Sequence, residues 1–381
     1  MRPVLINALC VGSGGNATLA RELPPAFKRA GRPCRVLLSE GRPLHDEIAK
    51  SLRADEIVWA PAATQSRWRR LPWERQHLDA VACSVDAACV LQLNGMAVST
   101  VRTPMLCHMG DPWPYLPEAW VDWYNPLLAA ARRRSHRKTL RRAARSTKTV
   151  VSFTSSYLRD LICGRLGIRP DPAPVFYNGI PDAWKQRAAP ALPDERPPTL
   201  LTVGNVSPYK RQEMLIRAIP EIARRLRGGA FTYRIVGHCD ERYREHLLRL
   251  IAELKLQGRV ELVGRVSQVE LEAEYRQARV MALLSVCESF GIPIVEAQSF
   301  GCATVVAKAG ALPEVAGDGA AVTSADTPEA AARAVVQCLT DDAYARDLVV
   351  RGRRNINRFS WEDTAAAMSE TISRLELARE A

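Results

Sequence analysis

Short apolar segments alternate with longer amphipathic segments along the chain. Residues 4–11 (VLINALCV), 34–40 (CRVLLSE) and 199–203 (TLLTV) are apolar runs of this kind. Continuous apolar runs of this length are typical of buried parallel strands, and successive strand–helix units build a doubly wound sheet. The pattern therefore predicts an α/β protein.

Further strands are predicted in both halves of the chain. The additional predicted segments are 55–60, 90–95, 149–155, 233–239, 259–266, 280–286 and 304–308, together with 103–115, a strand that leads into a Pro/Trp-rich loop. A chain of 381 residues corresponds to two domains by the usual size range. Residues 185–198 are polar and rich in Pro and Ala, as expected of a linker. We therefore predict a first domain over 1–184 and a second over 199–358.

Composition and net charge limit the kinds of molecule that the protein is expected to bind and the compartment in which it is expected to lie. The net charge of +12 favours anionic partners such as nucleotide phosphates, nucleic acid or an anionic membrane surface. Ten cysteines without C-x-x-C spacing indicate reduced core residues in a cytoplasmic protein, and no metal site is expected. No apolar run has the length of a membrane span, and residues 4–11 resemble a strand more than a signal peptide.

The stretch 288–301 (ESFGIPIVEAQSFG) carries the most specific chemistry. Glu288 and Glu296 are eight residues apart, with Gly291 and Pro293 between them. Gly291 permits close approach of a ligand to the backbone, and proline suits the first turn of a helix. A strand, a glycine-containing loop and a helix start direct free N–H groups at an anion, whereas carboxylates bind hydroxyls. The predicted ligand carries both phosphates and hydroxyls, as a nucleotide-sugar does.

This Glu-x7-Glu stretch, followed by AGALPE at 309–314, resembles the donor-site signature of retaining family 4 glycosyltransferases (group 1) with the GT-B fold. The resemblance covers most of the chain. It implies two Rossmann-like doubly wound domains facing across a cleft, an acceptor-binding first domain and a donor-binding second domain. It also implies that a final helix, 359–381, crosses back to the first domain. The nucleotide-sugar would be a substrate, and no cofactor is implied.

The resemblance assigns residues of the second domain to the donor. Lys210 matches the lysine that grips the diphosphate, Asn205 stands where the family has Arg, and Arg211 replaces a Gly. Ser207 and Pro208 resemble the cap and first residue of a helix beginning there. Glu288 would hold sugar hydroxyls and act with Lys210 and His108 in catalysis. The remaining donor-binding candidates are Val266 at the nucleobase, Ser289, Phe290, Gly291, Ile292 and, at the ribose, Glu296.

In the first domain, the loop 12–15 (GSGG) departs from the dinucleotide fingerprint G-x-G-x-x-G, so a nicotinamide site is disfavoured. The resemblance places Gly14 and Gly15 of this loop at the donor and Asn16 on the acceptor side; each glycine could equally serve a tight turn. His108 at a strand end would bind the transferred sugar. Asp111 is displaced from the family's His-Asp pair and is a second acceptor-side candidate.

Residues 132–148 (RRRSHRKTLRRAARSTK) form a basic segment with cations expected on nearly all sides of a helix. Two interpretations remain: a solvated helix, or a surface for anionic lipid headgroups that brings a lipid-linked acceptor to the enzyme. The second would place the protein peripherally on the inner face of the cytoplasmic membrane.

Together these features predict a metal-independent hexosyltransferase that moves a sugar from a UDP- or GDP-linked donor to a hydroxyl of a glycan or lipid-linked saccharide. Polysaccharide biosynthesis would be its context. No Asp-x-Asp motif suited to a bridging Mn²⁺ occurs in the chain. The alternatives are a basic nucleic-acid-binding protein, for which no aromatic–basic or zinc-finger spacing is present, and another GT-B enzyme such as a sugar-nucleotide epimerase.

Overall fold

The computed structural model describes residues 1–12, 15–93, 95–116, 125–185 and 196–380. The described residues form two compact units. The first comprises residues within 1–115, 125–179 and 359–380, and the second comprises residues within 180–358. The expected linker over 185–198 and the candidate Gly14 lie largely or wholly outside the described residues.

The first unit contains a six-stranded sheet in the order β3-β2-β1-β4-β5-β6, and all its pairings are parallel. Its strands are β1 (Val4–Asn7), β2 (Cys34–Ser39), β3 (Ile57–Ala60), β4 (Cys89–Gln92), β5 (Met105–Met109) and β6 (Thr149–Phe153). Its helices are α1 (Gly15–Arg29), α2 (Pro43–Ala49), α3 (Arg67–Ser84), α4 (Pro126–Ala143) and α5 (Ser156–Leu166). A further helix of this unit, which we number α14, spans Trp361–Glu380.

The second unit repeats this arrangement with a parallel sheet in the order β12-β11-β10-β7-β8-β9. Its strands are β7 (Thr199–Val203), β8 (Thr232–Val236), β9 (Val260–Gly264), β10 (Val280–Leu283), β11 (Ala303–Ala307) and β12 (Ala320–Thr323). Its helices are α6 (Asp182–Lys185), α7 (Gln212–Arg225), α8 (Glu241–Glu253), α9 (Gln268–Gln277), α10 (Ile292–Ser299), α11 (Leu312–Ala316), α12 (Pro328–Thr340) and α13 (Asp342–Asn355).

Strand order fixes where a ligand can bind in each sheet. In the first sheet the chain leaves β1 toward β2 and β3 and returns to β4 on the other side. In the second sheet the same reversal separates β7 from β10. Parallel sheets of this kind open a crevice beyond the carboxyl ends of the two strands at the reversal. The loops after β1, β4, β7 and β10 are therefore the places to look for chemistry.

Apolar side chains cover both faces of the sheets, which confirms the predicted α/β class and the two doubly wound domains. In β5, Leu106 belongs to one core cluster, while Met105 and Cys107 belong to the cluster on the opposite face. This alternation follows from the two-residue period of a strand. His108 therefore lies on the Leu106 face of the sheet.

Several details differ from the sequence prediction. The chain passes from the first unit to the second after Gly179, a few residues before the expected boundary, because Trp184 of α6 packs into the core of the second unit. Strand β12 was not predicted, since its four residues AAVT lie among Ala-rich helices.

The predicted helix start at Ser207–Pro208 is wrong. Residues Pro208–Lys210 form a short 3₁₀ turn, the Ser207 side chain makes no cap hydrogen bond, and α7 begins at Gln212. Arg211 interrupts the helix because its backbone is left-handed, with φ of 57°. A glycine tolerates this conformation better than arginine does.

Candidate active site

The loops after β7 and β10 meet at the strand reversal of the second sheet, and they bring two predicted catalytic residues into contact. Lys210 Nζ donates a hydrogen bond to Glu288 Oε1 in a close ion pair. Their side chains are only 11% and 13% exposed. Burial alone would lower the pKa of Lys210, but the Glu288 carboxylate and the Tyr209 hydroxyl raise it above its ordinary value. Lys210 is therefore a fixed cation.

The Glu288 carboxylate and backbone are both held in place. The buried Ser285 hydroxyl donates to Glu288 Oε1 at 2.9 Å. Ala311 N donates to the Glu288 carbonyl at 3.0 Å. Gly310, with φ of +60°, packs so closely that an added Cβ would lie 2.6 Å from Glu288 N. The loop after β11 therefore packs directly against the Glu288 backbone, and position 310 has no room for a side chain.

The residues after Glu288 lead directly into α10. Phe290 is buried, and Ser289 and Ile292 are half-buried. Gly291 caps α10 with a positive φ of 94°, which glycine adopts without strain, and Pro293 lies in the first turn. Pro293 has no N–H, and Ile294 N donates to the Gly291 carbonyl at 2.9 Å, so the N–H groups of Gly291 and Ile292 are those that can bind an anion at this helix end. The predicted strand–loop–helix geometry is present.

Glu296 lies one turn into α10, and its side chain pairs with Tyr275, whereas Glu288 pairs with Lys210. Tyr275 Oη donates to Glu296 Oε2 at 2.7 Å, and Tyr275 is completely buried. Burial raises the pKa of Glu296 to about 7, although the Tyr275 hydrogen bond acts in the opposite direction. Glu296 therefore changes charge near neutral pH.

Three other donor-side candidates have different surroundings. Asn205 is exposed just beyond β7, and its carbonyl accepts from Gln212 Nε2 at 3.1 Å. Val266 follows β9 and packs partly on the core. Arg211 Nη1 donates to the carbonyl of Ala325 at 2.6 Å, so this guanidinium is already bound to the loop after β12.

In the first unit, His108 is the penultimate residue of β5 and is 1% exposed. Its Nδ1 lies 3.0 Å from Ser152 Oγ on the neighbouring strand, and its buried Nε2 has no hydrogen-bond partner among the described residues. Burial lowers the pKa of His108 to about 4, so the imidazole is neutral at pH 7. A neutral ring with one unused nitrogen can donate or accept one hydrogen bond.

The other candidates of the first unit are the donor-side Gly15 and the acceptor-side Asn16 and Asp111. Gly15 is exposed at the start of α1, and Asn16 is half-buried, with Oδ1 3.6 Å from where a Cβ on Gly110 would stand. Asp111 forms an ion pair with Arg132 of α4 at 3.5 Å. Burial raises the pKa of Asp111, while Arg132 opposes this rise.

The sequence analysis missed the residues that hold these groups. Ser285, Tyr275 and Ser152 contact candidate side chains but belong to no motif recognised in the sequence. Gly310 lies in the AGALPE stretch, but its contact with Glu288 was not predicted. Gly310 had a signal, since a glycine in a short turn after a strand often marks a close approach.

The basic segment also differs from the prediction of cations on nearly all sides. Arg142 donates to the carbonyls of Val98 and Val101, and Arg133 donates to the carbonyl of Pro114, so these side chains point into the unit. The exposed cations of α4 recur at spacings of three and four residues and share one face. They are Arg134, Arg137, Lys138 and Arg141.

Known proteins resemble this chain in sequence and in fold. Residues 182–355 match the family described as Glycosyl transferases group 1. A GDP-mannose-dependent alpha-(1-6)-phosphatidylinositol monomannoside mannosyltransferase of Mycolicibacterium smegmatis is 30% identical over 254 residues, 61% of this chain and 64% of that protein. A D-inositol 3-phosphate glycosyltransferase of Nocardia farcinica is 32% identical over 181 residues, 46% of this chain and 40% of that protein. The chain thus spans less than two thirds of these curated relatives.

Solved structures match nearly the whole chain. The Anabaena protein HepE, crystallised with UDP and glucose, has a TM-score of 0.77 at 18% identity, covering 98% of this chain and 100% of that chain. Sucrose-phosphate synthase from Thermosynechococcus elongatus also has a TM-score of 0.77 at 18% identity, covering 99% and 100%. These similarities define the class as a two-domain α/β protein of the GT-B fold. Within this fold, residues 182–355 are similar to the group 1 glycosyltransferases.

Proposed function

We propose that this protein transfers a hexose from a UDP- or GDP-linked sugar to an acceptor hydroxyl, with retention at the anomeric carbon. The observation that carries the proposal is the Lys210–Glu288 pair beside the start of α10, at the strand reversal of the second sheet. One buried cation, the N–H groups of Gly291 and Ile292 at the start of α10, and one fixed carboxylate form a complementary set for a sugar diphosphate.

In this proposal, Lys210 and the N–H groups of Gly291 and Ile292 stabilise the negative charge that develops on the leaving nucleoside diphosphate. Gly291 allows the phosphates to approach the backbone, and Ser289, Phe290 and Ile292 form the walls of the loop. Glu288, oriented by Ser285, accepts hydrogen bonds from sugar hydroxyls and positions the anomeric carbon. Because Lys210 is already paired with Glu288, the donor must draw the ammonium toward its phosphates on binding.

The nucleoside half of the donor is assigned to neighbouring positions. Glu296 would accept from the ribose diol through the carboxylate oxygen that Tyr275 does not engage. Val266 would lie at the nucleobase edge, and Asn205 beside the diphosphate. Arg211 contributes its charge at longer range, because its guanidinium is bound to the Ala325 carbonyl.

The first unit is proposed to bind the acceptor and the transferred sugar. The unpartnered Nε2 of His108 is available for a sugar hydroxyl. Gly14 and Gly15 would approach the donor, and Asn16 and Asp111 would bind acceptor hydroxyls. A neutral His108 at pH 7 positions a hydroxyl without acting as a charged acid.

The relatives support the chemical class of the substrates. The mycobacterial relative is named as GDP-mannose-dependent, and the Anabaena structure contains UDP and glucose. Both donor bases therefore belong in a test. The Mycolicibacterium and Nocardia relatives act on a phosphatidylinositol monomannoside and on D-inositol 3-phosphate by name, which supports a hydroxyl acceptor of the glycan or glycolipid class.

The experiment is a transfer assay with UDP- and GDP-linked glucose, mannose and galactose, with and without EDTA, against phosphatidylinositol-linked and soluble saccharides. We expect transfer from one donor class, an α-linked product from an α-linked donor by NMR, and unchanged rates in EDTA. Epimerised donor without transfer would identify a sugar-nucleotide epimerase instead. Absence of binding to every nucleotide-sugar in calorimetry would overturn the proposal.

We further propose that the exposed face of α4 contacts an anionic membrane surface. Arg134, Arg137, Lys138 and Arg141 form no salt bridge with any residue in the described parts of the chain. Leu127, two turns before Arg134 on this face, is 81% exposed. A cationic stripe with an adjacent apolar side chain is complementary to anionic headgroups over an apolar layer. No helix among the described residues is long and apolar enough to cross a bilayer.

A further inference from the structure

Two arginines of the first unit converge on one backbone carbonyl. Arg42 Nη1 donates to the carbonyl of Leu9 at 3.1 Å, and Arg70 Nη1 donates to the same oxygen at 3.4 Å. Arg42 immediately precedes α2, whereas Arg70 lies in the first turn of α3. Two guanidinium groups that share one acceptor must lie close together. A single neutral carbonyl leaves most of their ten N–H donors for other partners.

The two charges have no acidic partner of their own. Within the residues that the structure describes, neither Arg42 nor Arg70 has a carboxylate within 4.0 Å. Arg70 Nε is buried there without an acceptor. Burial and the nearby charge of Arg70 lower the pKa of Arg42. Like charges held together in partial burial destabilise the free protein unless an anion joins them.

The nearby carboxyl groups are engaged elsewhere. Glu74, one turn after Arg70, is 1% exposed and accepts from Asn7 Nδ2 at 2.9 Å. Burial raises the pKa of Glu74, with the Asn7 hydrogen bond and the charges of Arg70 and Arg132 acting against it. Asp111 pairs with Arg132 at 3.5 Å. Glu74 thus acts on Arg70 only at longer range, and no carboxylate in the described parts of the chain pairs directly with Arg42 or Arg70.

The pair lies where the first sheet reverses its strand order. Asn7 at the end of β1 stands opposite Gln92 at the end of β4, and Asn7 Nδ2 donates to Gln92 Oε1 at 2.9 Å. Gln92 is fully buried, and its Nε2 has no acceptor among the described residues. Ligands bind beyond the carboxyl ends of such strands. The two arginines and the unused amide thus surround the expected ligand position of this sheet.

Glycine at position 12 leaves room on the Arg42 side. A Cβ on Gly12 would lie 3.0 Å from Arg42 Nη2, so a larger residue would crowd the guanidinium. The planar fork of an arginine matches the two oxygens of a phosphate or a carboxylate in a bidentate hydrogen bond.

We propose that Arg42 and Arg70 bind an oxyanion, a phosphate or carboxylate group, carried by the acceptor. The assignment of this anion to an acceptor rests on the proposed transferase function, whereas the anion site itself does not. The Leu9 carbonyl holds the two guanidinium groups in position, and the oxyanion neutralises their positive charge. Acceptors with an anionic group next to the reacting hydroxyl are then favoured over neutral sugars.

The experiment measures inorganic phosphate binding to the full-length chain by phosphorus NMR and calorimetry at constant ionic strength. Arg42→Gln and Arg70→Gln should each weaken phosphate binding about tenfold or more, since each removes a charged fork. Arg69→Gln is the matched control, because Arg69 is an exposed neighbour in α3, and it should bind phosphate as the wild type does. Arg70→Lys tests the fork, because it keeps the charge and should bind with intermediate strength.

A second phosphate site could exist near Lys210, so Lys210→Gln is measured in parallel. Phosphate binding that Lys210→Gln abolishes and both arginine variants retain would overturn the proposal. Glucose 6-phosphate, glucuronate and glucose then separate a phosphate preference from a carboxylate preference, with glucose as the neutral reference. Equal affinity for all three sugars would also overturn it. Phosphate binding that depends on Arg42 and Arg70 in a protein without transferase activity would refute only the proposed function.

Discussion

Lys210 and Glu288 form a buried ion pair although 78 residues separate them in the chain. The contact exists because β7 and β10 are neighbours in the second sheet, so the loops that follow them emerge side by side. In the free protein, the Lys210 ammonium is therefore paired with the Glu288 carboxylate. A donor with an anionic diphosphate and neutral hydroxyls can engage both groups at once.

Breaking this ion pair at either residue should lower both the activity and the stability of the protein. Lys210→Met and Glu288→Gln should each lower kcat/KM by at least about 100-fold, because each removes a group that contacts the donor. Each should also destabilise the protein by about 3 kcal/mol, since the remaining partner is a buried unpaired charge. The measurements are steady-state kinetics and urea unfolding.

The double variant Lys210→Met with Glu288→Gln is the control for the pair. It should recover most of the lost stability, because no buried charge is left unpaired, while activity stays low. Near-native activity in either single variant would contradict the assignment of these residues to the donor site.

Glu296 should make donor affinity depend on pH. Burial raises its pKa to about 7 in the free protein, and ribose hydroxyls hydrogen-bond better to the ionised carboxylate. Donor binding should then release protons, so the affinity should rise as the pH increases from about 6 to about 8. Calorimetry with an intact nucleotide-sugar measures this, since its diphosphate diester does not titrate in that range.

The contribution of Glu296 to the stability of the free protein should show the opposite dependence on pH. A carboxyl group whose folded pKa is raised contributes stability below its ordinary pKa and loses it as the pH rises through about 7. Glu296→Gln mimics the protonated form and should flatten both the binding and the stability profile. A wild-type donor affinity that is constant across this range would exclude Glu296 from the ribose site.

Gly310 should tolerate no side chain, because of its position beside Glu288. In Gly310→Ala, the new Cβ would lie 2.6 Å from Glu288 N and must displace the loop that carries this carboxylate. We expect a loss of at least about tenfold in kcat and about 2 kcal/mol in unfolding free energy, from the clash and the positive φ together. Kinetics and thermal unfolding measure the two effects.

Gly258→Ala is a matched control for this change. Gly258 also has a positive φ, of +75°, but an added Cβ would meet no atom within 4 Å. This variant should show only the smaller backbone cost of about 1 kcal/mol and keep its kcat. Equal activity in both alanine variants would show that the Gly310 contact does not position Glu288.

The exposed face of α4 should bind anionic vesicles. Wild-type protein should sediment with phosphatidylcholine–phosphatidylglycerol vesicles at low salt and not with pure phosphatidylcholine vesicles. Replacing Arg134, Arg137, Lys138 and Arg141 by glutamine should abolish the binding, at about 1 kcal/mol for each charge removed.

Removal of an equal charge elsewhere controls for net charge. Arg242, Arg249, Arg333 and Arg354 are exposed cations of the second unit, and their replacement by glutamine should leave sedimentation unchanged. Equal loss of binding in both quadruple variants would show that net charge, and not the α4 face, is responsible. Binding of both proteins to single-stranded nucleic acid in preference to vesicles would favour the nucleic-acid alternative.

Much of the fold could be read from local pattern. Continuous apolar runs such as 280–286 and 304–308 predicted buried parallel strands. Strand β10 lies within the first run, and β11 overlaps the second. Strand β12 was not predicted, because four residues flanked by Ala-rich segments show no distinctive hydrophobic period. The helix start at Ser207 failed for a similar reason. A local cap signal cannot reveal that Arg211 adopts a left-handed backbone and delays the helix to Gln212.

The sequence by itself determined the parallel α/β architecture, the two domains and the loop-to-helix stretch from Glu288 to Glu296, because hydrophobic period and turn residues act over a few positions. Only the tertiary structure decided that Lys210 and Glu288 are partners, that Tyr275 holds Glu296, and that Arg42 and Arg70 share the Leu9 carbonyl. Such contacts depend on strand order and loop path, which bring together residues far apart in the chain. Local pattern contains no information about that order.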